Sequence, residues 1–376
     1  MGRHQAPELA HPRLHVTRAQ ARNVVMAMVA LTMLVLAMTA SYSGAFAKPV
    51  LHNLSVAVVA PQPMVDQLRG QPALEITEVG DDDAARDRIL HRTADAALVV
   101  DAPGHMNVYV AGGGGRSVAA AAESVGRTVG TQTGLATTVT DIAPTSAGDP
   151  SGTVEFYAII FVSIGASVGA AAFGRMVGSV RRPVTLALRT VTLTAYSALL
   201  AGVVTGYVDM ALGALTGHPW QVFGTLWLYS MAVGGAVTGV AAAFGTVASM
   251  VLTAFLVIVG NAAAAGPVGR PLLSGFYTAF NHVVPQGSGV SLLRSIEYFD
   301  GHGALTPFAT LTIWAAAGCL LAMLGTFMRL RPIADSTQQW LQRFSPGRIV
   351  NYRANRDRSA GANRAVLRPG VLSPAD

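Results

Sequence analysis

The chain has 376 residues, of which 51% are hydrophobic and only 12% charged. A soluble domain carries about 25% charged residues, so composition argues for a polytopic α-helical membrane protein. The net charge of +6 comes almost wholly from arginine, because Lys48 is the only lysine and Pro49 follows it. That excludes a Walker A phosphate loop, Schiff-base chemistry and a kinase-type lysine within this chain.

Residues 1–22 are polar and carry Arg3, Arg13, Arg18 and Arg22, as expected of a cytoplasmic N-terminal segment. Residues 23–47 are uncharged and long enough for a first transmembrane helix. Ala45-Phe46-Ala47 also fits a signal-peptide cleavage site. The apolar run exceeds the usual h-region, however, so an uncleaved span is expected.

Residues 48–153 change character, with 12 acidic residues against 6 arginines from 49 to 153. Residues 54–60, 74–79, 96–100 and 106–110 predict strands by their apolar runs and alternation. Residues 82–92 predict a helix with acids at its start and Arg88 and Arg92 at its end, matching the helix dipole. Residues 117–129 predict an Ala-rich helix behind Gly112–Gly115. Without a lysine to follow, that tetraglycine reads as a strand-to-helix turn and not as a phosphate loop. Together these segments predict an α/β domain, placed outside the cell.

Between Arg189 and Arg270 the only formal charge is Asp209. A charge at mid-membrane costs several kcal/mol, so this stretch belongs in a bilayer. Spans are expected near 154–174, 184–210, 222–244, 248–265 and 306–328, which makes six with the first. Of the 26 basic residues, 17 fall in 1–22, in the 174–189 loop and in the tail from Arg329. The positive-inside rule then puts both termini in the cytoplasm. The basic tail, 329–376, is expected to be partly disordered and to meet anionic lipid headgroups, with no role for nucleic acid.

Few residues invite chemistry. Asp209 has two readings, a transport or proton role and an interfacial acid, and its distance from Arg189 favours the interface. His218 is its candidate partner. Gly165/Gly169 and Gly235/Gly239 are small-xxx-small pairs that suit close helix packing, within a subunit or across a dimer. Cys319 stands alone, so no intrachain disulfide forms. No metal, cofactor or nucleophile pattern appears, and no enzymatic role is expected. Residues 266–305 are apolar yet broken by Pro267, Pro271 and Pro285, as in a re-entrant or capping segment. Within them 289–299 predicts a short helix with Arg294 and Glu297 on its polar side.

Three stretches carry a family resemblance. They are Gly148-Asp149-Pro150-Ser151-Gly152-Thr153 before Phe156-Tyr157, Gly260-Asn261 before Gly266-Pro267, and Val284-Pro285-Gln286-Gly287-Ser288-Gly289-Val290 running to Leu293-Arg294-Ser295 and Tyr298-Phe299-Asp300-Gly301. With the layout of one span, an external domain and five spans, the chain resembles permeases of the type-2 ABC exporter superfamily, in the phage-infection-protein-like branch. Asn261 is followed by alanines where that family often has Asn-Pro. The resemblance implies an export permease for a hydrophobic or amphiphilic substrate, paired with a second permease half and with separate cytoplasmic ATPase subunits. It implies that Arg175, Arg181 and Arg182 contact the ATPase and that 266–303 matches outer re-entrant helices. Asp209, Asn261, Pro285 and Arg294 are the transport-path or gate candidates. The rival reading is a non-transporting receptor or envelope scaffold. The topology predicts that a cysteine placed at Gly114 reacts with an impermeant thiol reagent from outside intact cells, and labelling only after permeabilisation would reverse the orientation.

Overall fold

The computed structural model describes residues 17–177 and 183–327. The chain divides into two compact units, 1–36 with 335–376, and 37–334. Of the first unit, the described part is the leading stretch of α1 (Arg18–Phe46), which is long and apolar enough to cross a membrane. Everything below concerns residues 37–334.

The sheet domain is built from β1 (Leu54–Val59), α2 (Gln62–Arg69), β2 (Leu74–Glu78), α3 (Asp82–Leu90), β3 (Ala96–Ala102), β4 (His105–Val110), α4 (Arg116–Thr133) and β5 (Ala136–Asp141). Strand order is β2-β1-β3-β4-β5, with β3 and β4 antiparallel and the other neighbours parallel. Successive side chains on a strand point to opposite faces. Leu54, Val56 and Val58 therefore pack with Met64, Leu68, Ala119 and Ala122 of α2 and α4. Ala57, Ala97 and Val99 pack on the other face with Ala85 and Ile89 of α3, and with Phe299 from beyond the sheet domain. Asp81 starts α3 by accepting the Ala84 amide at 2.8 Å, an ordinary N-cap bond. Four of the five strands and both predicted helices lie where their patterns put them. Two elements carry no clear sequence signal. One is α2, which begins with Gln62-Pro63. The other is the edge strand β5, whose burial alternates weakly over a Thr-rich sequence.

The helical part comprises α5 (Val154–Met176), α6 (Pro183–Gly206), α7 (Pro219–Phe244), α8 (Thr246–Phe255), α9 (Gly275–Asn281), α10 (Pro285–Tyr298) and α11 (Leu305–Phe327). With α1, five helices among the described residues are long and apolar enough to cross a membrane. The chain therefore has the build of a multi-pass helical membrane protein with a small five-stranded domain. The expected span at 248–265 is shorter than that. α8 has 10 residues and runs into a 5-residue π-helical turn, Leu256–Gly260. At about 1.5 Å per residue this covers roughly 22 Å, short of a hydrocarbon core about 30 Å thick. Arg189, at the border of the expected 174–189 loop and the expected span 184–210, lies within α6, buried, with Nη2 donating to the Ala170 carbonyl at 3.2 Å.

The core of the helical part centres on Ile159, Val162, Leu226, Tyr229 and Val233, contributed by α5 and α7. The small-xxx-small pairs act inside this unit. Gly165 and Gly169 receive the Tyr196 ring of α6, whose hydroxyl donates to the Gly165 carbonyl at 3.1 Å. Gly239 of α7 and Gly318 of α11 meet backbone to backbone, and a Cβ on either would overlap the facing chain. Backbone cannot swing aside as a side chain can, so overpacking here costs about 1–3 kcal/mol or more. We expect Gly239→Leu and Gly318→Leu to lower the melting temperature of the detergent-solubilised protein by several degrees. Gly224→Leu, on the same helix but facing open space, should leave it within error.

Candidate functional site

The sheet domain meets the helical part along a seam organised by two arginines. α3 ends at Leu90, and Arg92 then takes a left-handed backbone with φ 57°. That turn aims its side chain at α10. Nη1 donates to the Ser291 carbonyl at 2.8 Å and to the Ser295 hydroxyl. The guanidinium also lies 5.2 Å from the centre of the Phe299 ring, within cation–π range. Next to it, the His91 and His302 rings face each other at 4.1 Å.

Arg294 projects from α10 in the opposite sense and is only 4% exposed. Its Nη1 donates to the carbonyls of Gly114 at 3.2 Å and Ala265 at 3.3 Å, and its Nη2 to those of Gly152 and Gly266, both at 3.2 Å. One guanidinium thus joins the tetraglycine turn, the approach to α5 and the segment after the π-turn. The approach to α5 is itself fixed by Asp149, whose Oδ2 accepts the Val154 amide at 2.7 Å. In the first turn of α5, Glu155 is 0% exposed. It lies by the Tyr298 hydroxyl without full hydrogen-bond geometry, and Arg294 is the cation acting on it.

Between these groups lies a cavity of about 340 Å³, lined by Arg92, Asp95, Arg270, His282 and Arg294 among apolar residues such as Val290 and Phe299. Three arginines against one lining carboxylate make it a positive, part-open space. Burial, and then repulsion from Arg294, lowers the pKa of Arg92 to about 10. Burial raises that of Asp95, opposed by the Ser55 amide it accepts at 3.0 Å and by Arg270 and Arg92. Burial and then Arg270 lower that of His282. Each direction follows from charge desolvation and neighbouring cations.

Of the residues singled out from sequence, Arg294 is central, but buried and not on a polar face. The expected wet side of its helix is the side packed into the seam. Asn261 follows the π-turn, fully buried, with its amide near the Tyr42 hydroxyl but without a full hydrogen bond. Pro285 opens α10. Gln286 beside it donates to the Leu256 carbonyl at 2.9 Å and the Ser163 hydroxyl at 3.3 Å. Pro285, Arg294 and Asn261 therefore belong to one neighbourhood. Asp209 does not join it. It sits half-buried in the π-helical turn Tyr207–Ala211, and its side chain has no hydrogen bond or ion pair among the described residues. The expected pair with His218 does not form, and the His218 Nδ1 is buried without a partner. Arg175 is exposed near the end of α5. Arg181 and Arg182 lie outside the described residues.

Sequence reasoning missed Glu155, Arg92, Arg270 and Gln286. Glu155 left one trace, an acid in the first turn of an otherwise uncharged span. The others look like ordinary loop or helix-end residues until the chain is folded. Compared with protein-family models, with curated proteins and with solved structures, the chain matches none.

Removing Arg294 would strip four backbone carbonyls of their shared donor, and a hydrogen bond to a charged group contributes about 1.5–3 kcal/mol. Arg294→Met should therefore lower the melting temperature clearly, whereas Arg127→Met, which removes an exposed pair with Glu123 on α4, should shift it little. Equal shifts for the two would show that Arg294 is not what holds the seam.

Proposed function

We propose that this chain is the membrane permease subunit of an exporter for a hydrophobic or amphiphilic substrate, powered by separate cytoplasmic ATPase subunits and completed by a second permease half. The observation that carries the reading is the interruption between α8 and α10. A short apolar helix stops at a π-turn, and fully buried, incompletely bonded polar groups follow at Asn261 and Gln286. In a bilayer, irregular backbone is tolerated only where protein covers it or where it lines a cavity, and buried polar groups at such breaks mark transport paths.

In this reading the chain crosses six times, the α8 segment through a locally thinned or protein-lined path. Both termini lie in the cytoplasm and the sheet domain outside. Arg175, Arg181 and Arg182 form the contact with the ATPase, and Asn261 and Gln286 flank the path. The chain itself hydrolyses nothing.

Affinity purification of the detergent-solubilised protein from its native membranes tests this. Wild-type bait is expected to recover an ATPase, and bait carrying Arg181→Ala and Arg182→Ala to recover several-fold less. Recovery of no ATPase by wild-type bait would favour a receptor or scaffold whose external domain binds a partner.

A further inference from the structure

The seam cavity holds more positive charge than its own walls neutralise. Three arginines line it, Arg92, the exposed Arg270 and Arg294, against the one lining carboxylate of Asp95, with Glu155 buried near Arg294 outside the lining. The hydrogen bonds of Arg92 and Arg294 go to neutral oxygens, namely backbone carbonyls and the Ser295 hydroxyl. Neither makes a salt bridge among the described residues. The Nε and Nη2 of Arg92 have no protein partner there either. Arg270 follows Gly269 in the loop before α9, and its side chain has no hydrogen bond or ion pair among the described residues. An excess of positive charge calls for an anion, and planar guanidinium forks match tetrahedral oxyanions best. Arg92 and Arg270 offer unengaged guanidinium nitrogens from separate segments, while Arg294, whose Nη atoms are held by four carbonyls, adds its charge.

The remaining walls are apolar. Val290, Phe299 and Pro307 line the same space, and Thr306, Pro307 and Thr310 belong to the start of the membrane-length helix α11. At about 340 Å³ the cavity stands at the small end of ligand sites. It accommodates a headgroup but not the chains attached to it.

We propose that this cavity is a phosphate-binding site, occupied by the phosphate headgroup of an amphiphile whose chains lie along α11. The site stands whether or not the chain transports.

Isothermal titration of the full chain in a neutral maltoside detergent tests it, with dodecyl phosphate and inorganic phosphate as probes. Dodecyl phosphate is expected to bind saturably at one site. Arg270→Gln, which removes an unengaged side chain and should leave the fold intact, is expected to weaken it about tenfold, the value of one charge-assisted bond. Arg127→Gln, on α4 and away from the cavity, is expected to leave it unchanged. Tighter binding of dodecyl phosphate than of inorganic phosphate supports the headgroup, and equal binding overturns it in favour of a free-ion site. No saturable binding of either probe, or binding indifferent to Arg270→Gln in a protein of normal melting temperature, overturns the proposal altogether.

Discussion

A guanidinium taken out of water must replace its hydration with oxygens, because a buried charge left unsolvated costs several kcal/mol. Arg294 satisfies that demand with four backbone carbonyls from three segments far apart in sequence. Those segments are the turn that launches α4, the approach to α5 and the stretch after the π-turn. Each is irregular backbone, and irregular backbone has carbonyls that no helix or sheet satisfies. The arginine and the loops thus solve each other's problem. Gly115, next to the bonded carbonyl of Gly114, is the glycine whose missing Cβ faces the guanidinium.

The same logic reaches from the seam into the helical core. α10 starts beside the π-turn that follows α8, where the Gln286 amide donates to the carbonyl of Leu256. About two turns later it presents Arg294 to the seam. α10 therefore repairs two breaks in the backbone order at once, which explains why nearly all of its residues are buried although it is too short to span a membrane. Asn281 adds a third repair, donating to the Ala263 carbonyl at 2.7 Å. The polar side chains of the 261–295 stretch are thus partly structural, and Asn261, whose amide bonds none of them, is the exception.

What the sequence discloses follows from the range of the interactions involved. Long apolar runs such as 154–176 and 305–327 are dictated by local composition, and so are the strands whose side chains alternate between two buried faces. The tetraglycine is recognisable as a turn because it lacks a lysine. The seam is hidden, because Arg92 and Ser295 are 203 residues apart in sequence and neither carries a periodic signal. Arg294 was visible as a residue but not in its role. Amphipathic reasoning assigns a charged residue to the wet face of a helix, and it has no means of knowing that unpaired carbonyls wait on the other side. β5 was missed for a related reason. An edge strand covered on one side needs few apolar residues, and Ala136-Thr137-Thr138-Val139 has few.

The sheet domain is consequently not a module swinging on tethers. Phe299, which follows α10, is built into the hydrophobic face that also contains Ala57, Ile89 and Tyr109, while Arg92 of the sheet domain is bonded to α10 through Ser291 and Ser295. Contacts thus run in both directions across the seam, and the cavity is lined by groups from both sides. A ligand bridging Arg92, Arg270 and Arg294 would neutralise the repulsion between the first and the last, which is already large enough to contribute to the lowered pKa of Arg92. One buried helix of 14 residues, α10, thus carries both the seam contacts at Ser291, Arg294 and Ser295 and the contact of Gln286 with the break after α8.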